Sequence, residues 1–423
     1  MRTNNARSYI LAFVLAIIPV AYCYAFPFVI NNLGHALFLF VALPILLVDG
    51  SESNFRGSKR KYCKPYLFFG IYLALITFIA PLFFSFPIDT LGLFSATEFA
   101  IVIFFLITDI KLSNAFIELY TRLAFIFALF LIIQYVSLVF FGTPISGNIP
   151  FLEEYEREVG SIIEGRIVRI SSVFAEPSHF SVYEAPALVM FLWGKTKQKW
   201  PIVKIVVITI AVLLSTSSNG IIVMGFIYAT YIINRYFSKL NIIYIIIGTV
   251  IFIGAYYFIT NSTYLNDVTY GLFTQEEGMT TSKAEGRIYR GYYMYMDMPL
   301  ECKIFGVGWR NAEAYCQASN QELLGKYAYD GFNYFNSLAG SLIFSGIIGF
   351  VALLSFFFSM FKFTHDYSAR VLIIAVLILM GTSSVLLSDQ WIFFLAAIVS
   401  LINKSKDEEN YNYYISQHNS NCK

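Results

Sequence analysis

The chain has 423 residues, of which 57% are hydrophobic and 13% charged, too few polar side chains to cover the apolar ones in water. Lipid is therefore its main solvent, and a purely water-soluble architecture is excluded. Its 29 basic and 27 acidic residues leave a formal charge of +2, which gives no electrostatic reason to expect nucleic acid as a partner.

The opening MRTNNAR runs into an apolar stretch without a small-residue cleavage site, which reads as a retained first helix and not a signal peptide. A spanning helix needs roughly 20 apolar residues, because each rises about 1.5 Å through an apolar layer about 30 Å thick. Segments of that kind lie near 8–25, 29–48, 65–87, 91–110, 115–141, 178–194, 201–217, 219–234, 240–260, 335–361, 371–387 and 389–402, of which 219–234 and 389–402 are the shortest. The expected fold is an all-α polytopic integral membrane protein of about 12 (10–12) transmembrane helices.

With the N-terminus cytoplasmic, nineteen of the 29 basic residues fall in or beside cytoplasmic connections, including Arg56, Lys59, Arg60, Lys61 and Lys64 in one loop. Nine more lie in two long external loops, 142–177 and 261–334, where charge bias applies least because long translocated segments tolerate it. The chain thus divides into helices over 1–141, a loop over 142–177, helices over 178–260, a second loop over 261–334, helices over 335–402 and a cytoplasmic tail over 403–423. Arg122, inside the fifth span, costs about 3 kcal/mol in lipid, so it is expected to pair with Glu118 four positions earlier or to face a cavity; contact with a phosphate is a second reading. Glu98 and Glu184, also within spans, carry the same expectation.

The first external loop sets Glu153, Glu154, Glu156, Glu158 and Glu164 near Arg157, Arg166 and Arg169. So dense an acidic cluster reads as a solvated face. The loop ends in RISSVFAEPSHF, where Pro177 suits the first turn of a helix and so places Glu176 and Ser178 at the water-facing mouth of the next span. Two readings stand for Glu176. One is an ordinary helix cap with a neighbouring ion pair; the other is a general base whose pKa partial burial raises, with Arg166 and Arg169 holding an anionic group opposite. His179 reads as an interfacial polar group.

The second external loop contains GRIYRGYYMYMDMPLECKIFGVGWRNAEAYC, in which Arg287 and Arg290 lie three apart and share a face if helical. Two guanidinium forks there would clamp one phosphate, while Tyr289, Tyr292 and Tyr293 either stack on sugar rings or rest on the membrane surface. Cys302 and Cys316 would meet in an oxidising compartment, and their bridge would close a ring of about 15 residues worth around 3 kcal/mol; a disulfide is expected. The four histidines are scattered and no Asp and Glu cluster has metal-ligand spacing, so metal-independent chemistry without a cofactor is expected.

Three stretches together resemble the bacterial O-antigen polymerases, within the superfamily they share with O-antigen ligases. RISSVFAEPSHF is similar to the family's arginine, small-residue stretch and proline triplet opening a helix. GRIYRGYYMYMDMPLECKIFGVGW is similar to its arginine, short helix, proline and G-x-G turn, here Gly306 and Gly308; FNSLAGSLIFSGIIGF is similar to the return to the membrane, ending in Gly346 and Gly349. Ligases begin that third stretch with a His-Asn pair, where this chain has Phe335 and Asn336, which favours the polymerase. The resemblance implies two long periplasmic loops on a bacterial inner membrane protein that moves a growing glycan from undecaprenyl diphosphate to the next undecaprenyl-diphosphate-linked oligosaccharide. A chain-length regulator protein is implied as a partner. Glu176, Arg169 and Arg287 take the catalytic roles, with Arg166, Arg290, His179, Tyr293 and Asn336 as substrate contacts. The alternatives are an O-antigen ligase and a lipid-linked oligosaccharide flippase; a transporter would keep short connections and polar residues at the midplane between repeated halves.

Overall fold

The computed structural model describes residues 2–26, 32–52, 63–90, 92, 93, 95, 96, 113–150, 152, 161–163, 166–168, 170–236, 284–327, 335–386, 388 and 390–405. Most of the expected span at 91–110, all of that at 240–260, residues 261–283 and the tail beyond 405 lie outside the described residues. The helices run α1 (Arg2–Ala21), α2 (Leu33–Leu37), α3 (Leu43–Glu52), α4 (Cys63–Phe84), α5 (Ser113–Phe141), α6 (Pro177–Leu192), α7 (Pro201–Leu214) and α8 (Ser218–Tyr236). After them come α9 (Ala284–Asp297), α10 (Leu300–Phe305), α11 (Ala312–Ser319), α12 (Gln321–Tyr327), α13 (Ser337–Phe363), α14 (Tyr367–Thr382) and α15 (Gln390–Ser405). A π-helical turn at Phe38–Ala42 joins α2 to α3, so the expected second span is a single rod with a bulge in it.

Lys64–Phe84, Asn114–Phe141 and Ser337–Phe363 are long and apolar enough to cross a membrane, and Ala6–Ala21, Leu33–Val48, Pro201–Leu214, Tyr367–Thr382 and Gln390–Ser405 are shorter apolar helices. The chain is thus a helical protein of membrane-spanning character. α5 shows how apolar helices choose a face without polarity to guide them. Tyr120, Ala124, Ala128 and Leu131 are buried along one stripe, while Ile126, Ile133, Val136 and Phe140 are exposed along the other. Small residues such as these two alanines suit close approach between backbones, and α1 and α7 pack against α5. The first long loop, expected without strands, carries a short antiparallel pair, β1 (Ser161–Ile163) and β2 (Arg166–Val168), with Ile162 opposite Ile167. Its sequence SIIEGRIV supplies the cause: two β-rich triplets separated by two residues that include a glycine.

α13 is not the continuous span its composition suggests. At Gly346 the backbone has φ 58° and ψ −172°, which ends one helical segment and starts another. The carbonyls of Ile343 and Phe344, just before the break, accept hydrogen bonds from Val307 (3.1 Å) and Gly308 (2.8 Å). The Gly306–Gly308 turn therefore supplies donors to the broken helix, as non-helical backbone at membrane depth requires. α4 closes the other side: Trp309 N–H donates to Thr77 Oγ1 at 2.8 Å, Asn311 Nδ2 to the Thr77 carbonyl at 3.1 Å, and Tyr72 OH to the Phe305 carbonyl at 2.8 Å.

Hydrogen bonds gather the connections at two ends. At one end Tyr24 OH accepts from Ile149 N–H, Ser181 meets Ser215, Asn219 meets Ser383, and Ser319 donates to the Phe84 carbonyl. At the other, Lys195 pairs with Asp366 at 2.5 Å, Lys404 donates to the Lys195 carbonyl, and Lys197 N–H donates to Glu118. Of the three stretches similar to O-antigen polymerases, the second and third bond directly to each other, and the first opens α6 at the first, motif-bearing end; the other end is basic.

Candidate functional site

At the motif-bearing end, Glu176 precedes α6 with an extended backbone (φ −135°, ψ 153°) and Pro177 occupies the first turn, as the sequence leads one to expect. The Glu176 side chain does not cap the helix. Its carboxylate accepts from the Ser178 hydroxyl at 3.0 Å and is exposed, so the partial burial expected of it is not found. His179 lies edge-on to Tyr22, with ring centroids 6.4 Å apart, and its buried Nδ1 has no hydrogen-bond partner among the described residues. The segment leading into α6 is held rigidly. Ala175 N–H donates to Cys23 Sγ at 3.1 Å, Ser172 Oγ donates to the Phe127 carbonyl at 2.8 Å, and Gln134 Nε2 reaches both the Ile145 and Ser172 carbonyls.

A line of short polar side chains connects this mouth to the return of the second loop. Ser181 and Ser215 hydroxyls lie 2.9 Å apart, beneath Gly220, where a Cβ would stand 2.2 Å from that of Ser181. Asn219 Nδ2 donates to Ser383 Oγ at 2.7 Å, and Ser337 donates through both its N–H and its Oγ to the Ser383 carbonyl, each at 2.9 Å. Asn336 caps α13 by accepting from Ala339 N–H at 2.9 Å. Beside it, the Phe335 ring underlies the Arg290 guanidinium at 5.4 Å. None of Ser181, Ser215, Asn219, Ser337 and Ser383 was singled out from sequence. Their signal was available, since polar side chains within or beside apolar spans need internal partners.

Arg290, expected to face a phosphate, is only 3% exposed and donates to the Tyr327 carbonyl. Together with Tyr327 OH and Lys326 Nζ, which reach Asp297 at 2.7 and 2.5 Å, it fastens α12 onto α9. The Lys326 and Tyr327 contacts hold the Asp297 carboxyl below its ordinary pKa. Arg287 lies in the same helix, three positions earlier; its side chain, that of Arg166 on β2, and Arg169 altogether lie outside the described residues. Tyr293 is exposed, with its ring 6.4 Å from that of Tyr289.

The expected disulfide is not formed: Cys302 and Cys316 are buried free thiols on α10 and α11. Burial raises both pKa values, that of Cys316 from 9.0 to about 12, and so suppresses the thiolate that disulfide exchange requires. Raised folded-state values mean that both thiols favour the native state below about pH 9 and lose that contribution as pH climbs through their raised values, about 12 for Cys316. In native protein at pH 8, maleimide labelling of both residues is expected to be far slower than in denatured protein, and thermal stability to fall on raising pH from 9 to 11. Fast native labelling would count against this burial.

Glu118, the expected partner of Arg122, has its carboxylate occupied by Thr196 Oγ1 and Lys197 N–H, and Arg122 opens onto a groove at the basic end. Glu184 is wholly buried in α6, and neither carboxylate oxygen has a hydrogen-bond partner among the described residues; Glu98 lies outside them. No three His, Cys, Asp or Glu side chains among the described residues converge on a common point. No protein-family model matches the chain, and no curated protein matches its sequence.

Proposed function

We propose that this protein is an O-antigen-type glycan polymerase of a bacterial inner membrane, with about twelve spans, both termini cytoplasmic and the motif-bearing end facing the periplasm. The reading rests on the three stretches that resemble that family. The observation that carries it is their convergence: the Gly306–Gly308 turn bonds to the break at Gly346, while Ser181, Ser215, Asn219, Ser383 and Ser337 link that return to the α6 mouth. Elements far apart in sequence are thus held together by buried and half-buried polar bonds, beneath the external face where two carrier-linked substrates would meet.

In the proposed reaction, an acceptor sugar hydroxyl attacks the anomeric carbon of the growing glycan. The bond from that carbon to undecaprenyl diphosphate breaks, the hydroxyl proton passes to Glu176, and the carrier diphosphate leaves with the electron pair. Ser178, donating to Glu176, orients the carboxylate. Arg287 and Arg169 meet the negative charge that develops on the leaving diphosphate, the type of contact that is stronger in the transition state.

The test is deletion of the gene and complementation, with surface lipopolysaccharide resolved on a gel. A core bearing a single repeat, restored to a ladder by wild type and not by Arg287→Ala at normal membrane levels, is the expected result. Glu176→Gln is expected to slow polymerisation by about 10²–10⁴-fold, the usual contribution of a general base. Polymer retained on the carrier with a bare core would point to a ligase, and an intact ladder would reject both.

A further inference from the structure

The groove at the basic end has a volume of about 810 Å³ and brings Arg122 from α5 together with Lys197, Lys199 and Lys204, over Phe125 and beside Trp200. Among the described residues, four cations there face one carboxylate, that of Glu118, which protein donors already engage. The walls are built and not merely adjacent. Gln198 Nε2 donates to the Glu118 carbonyl at 2.9 Å and to Thr121 Oγ1 at 2.5 Å, its Oε1 accepts from Lys204, and the Lys204 ammonium lies 5.4 Å from the centre of the Phe125 ring.

Two further observations indicate what such a groove holds. Trp200 is 74% exposed and sits at φ 60°, a left-handed conformation unusual for an aromatic residue, just before Pro201 opens α7. An indole held outward at the end of an apolar helix is placed as interfacial anchors are. Exposed apolar stripes then lead away from the cations, with Ile126, Leu129 and Ile133 following Arg122 along α5, and Val203, Val206 and Ile210 running along α7, which packs against it. A free phosphate would use the cations alone; a lipid would use the cations for its head and the stripes for its chains.

We infer that this groove binds the phosphate headgroup of an anionic membrane lipid, with the acyl chains lying along the exposed faces of α5 and α7. The inference rests on the membrane-spanning character of the helices and is independent of the glycan chemistry at the other end.

The test uses the full chain in nanodiscs, with dibrominated phosphatidylglycerol or dibrominated phosphatidylcholine quenching tryptophan emission. The chain has four tryptophans, so Trp200→Phe isolates the contribution of Trp200. Half-maximal quenching is expected at a phosphatidylglycerol fraction well below that of phosphatidylcholine, each cation adding about fivefold to the preference. Arg122→Gln combined with Lys204→Gln should lower the preference about 25-fold, and Lys199→Gln, on an exposed residue, should lower it about fivefold even if the first pair fails to fold. Equal quenching by the two lipids, or a preference undiminished by Lys199→Gln and by any folded Arg122→Gln and Lys204→Gln protein, would overturn the inference. Reversal of quenching by millimolar inorganic phosphate would overturn the lipid as occupant, because the groove would then prefer the free anion.

Discussion

Replacing Gly346 with alanine is expected to remove most folded protein from the membrane fraction, whereas replacing Gly225 with alanine is expected to leave its level unchanged. At Gly346, φ 58° with ψ −172° belongs to a region nearly closed to residues with a Cβ, and such strain costs about 1–3 kcal/mol. The added Cβ would also stand 2.2 Å from the Ile304 carbonyl oxygen and 2.7 Å from Gly306 N. Relief requires the α10 turn to withdraw, which breaks the bonds from Val307 and Gly308 to Ile343 and Phe344. Each buried group left unpaired adds about 1–3 kcal/mol. Gly306 meets the same wall from the opposite side, since its Cβ would stand 2.4 Å from the Phe344 oxygen, so Gly306→Ala should fail alike. Gly225 lies inside α8 with nothing within 4 Å of an added Cβ, and alanine there gains up to about 1 kcal/mol of helix propensity. Membrane levels, detergent extraction and thermal stability of the three variants, made side by side, provide the measurement. A Gly346→Ala protein that extracts and melts like wild type would mean that α13 runs unbroken.

That break marks the limit of hydropathy as a guide. The apolar stretch 335–361 was legible because lipid demands length, but Ser337–Phe363 passes as one apolar helix by length and composition, so hydropathy does not mark the interruption at Gly346. Gly306, Gly308 and Gly346 were visible only as members of a recognisable pattern; why glycine stands at each became clear once their backbones were seen to cross. The α6 mouth was legible for a local reason, because Pro177 fixes the first turn wherever it stands. Cys302 and Cys316 misled for the converse reason: spacing measures the entropy of a ring, whereas the fate of a thiol depends on what surrounds it. Arg290 was likewise read from its neighbour Arg287, but its environment is set by Tyr327 and Phe335, 37 and 45 positions away.

Tyr120→Phe is expected to destabilise the protein by about 1–3 kcal/mol although it removes a single oxygen atom, and to do so less when Pro186 is also replaced by alanine. Pro186 lies inside α6, where its ring obstructs the carbonyl four residues before it and loosens the ladder around it. In that opening the Tyr120 hydroxyl accepts from Ala187 N–H at 2.9 Å and donates to the Tyr183 carbonyl, so one tyrosine from α5 stands across a rung that an ordinary helix closes by itself. The surroundings offer no substitute: Tyr120 is wholly buried, with the rings of Tyr183, Phe393 and Phe116 centred 5.2, 5.0 and 5.6 Å from its own. Phenylalanine would fill nearly the same volume and leave an amide and a carbonyl facing each other across a dry gap. With Pro186→Ala the ring is gone, Ala187 N–H can close directly onto Tyr183, and the hydroxyl is no longer required. A double-mutant cycle on thermal stability in detergent therefore should show coupling, with Tyr120→Phe costing clearly less in the Pro186→Ala background. Because α6 carries Glu176 and Ser178 at its first turn, loosening its middle should also disturb the mouth and shorten the polysaccharide ladder under the proposed function. An equal cost of Tyr120→Phe in both backgrounds would show that the hydroxyl stabilises α6 for some reason other than the proline, and would sever the link between this buried tyrosine and the geometry of the site.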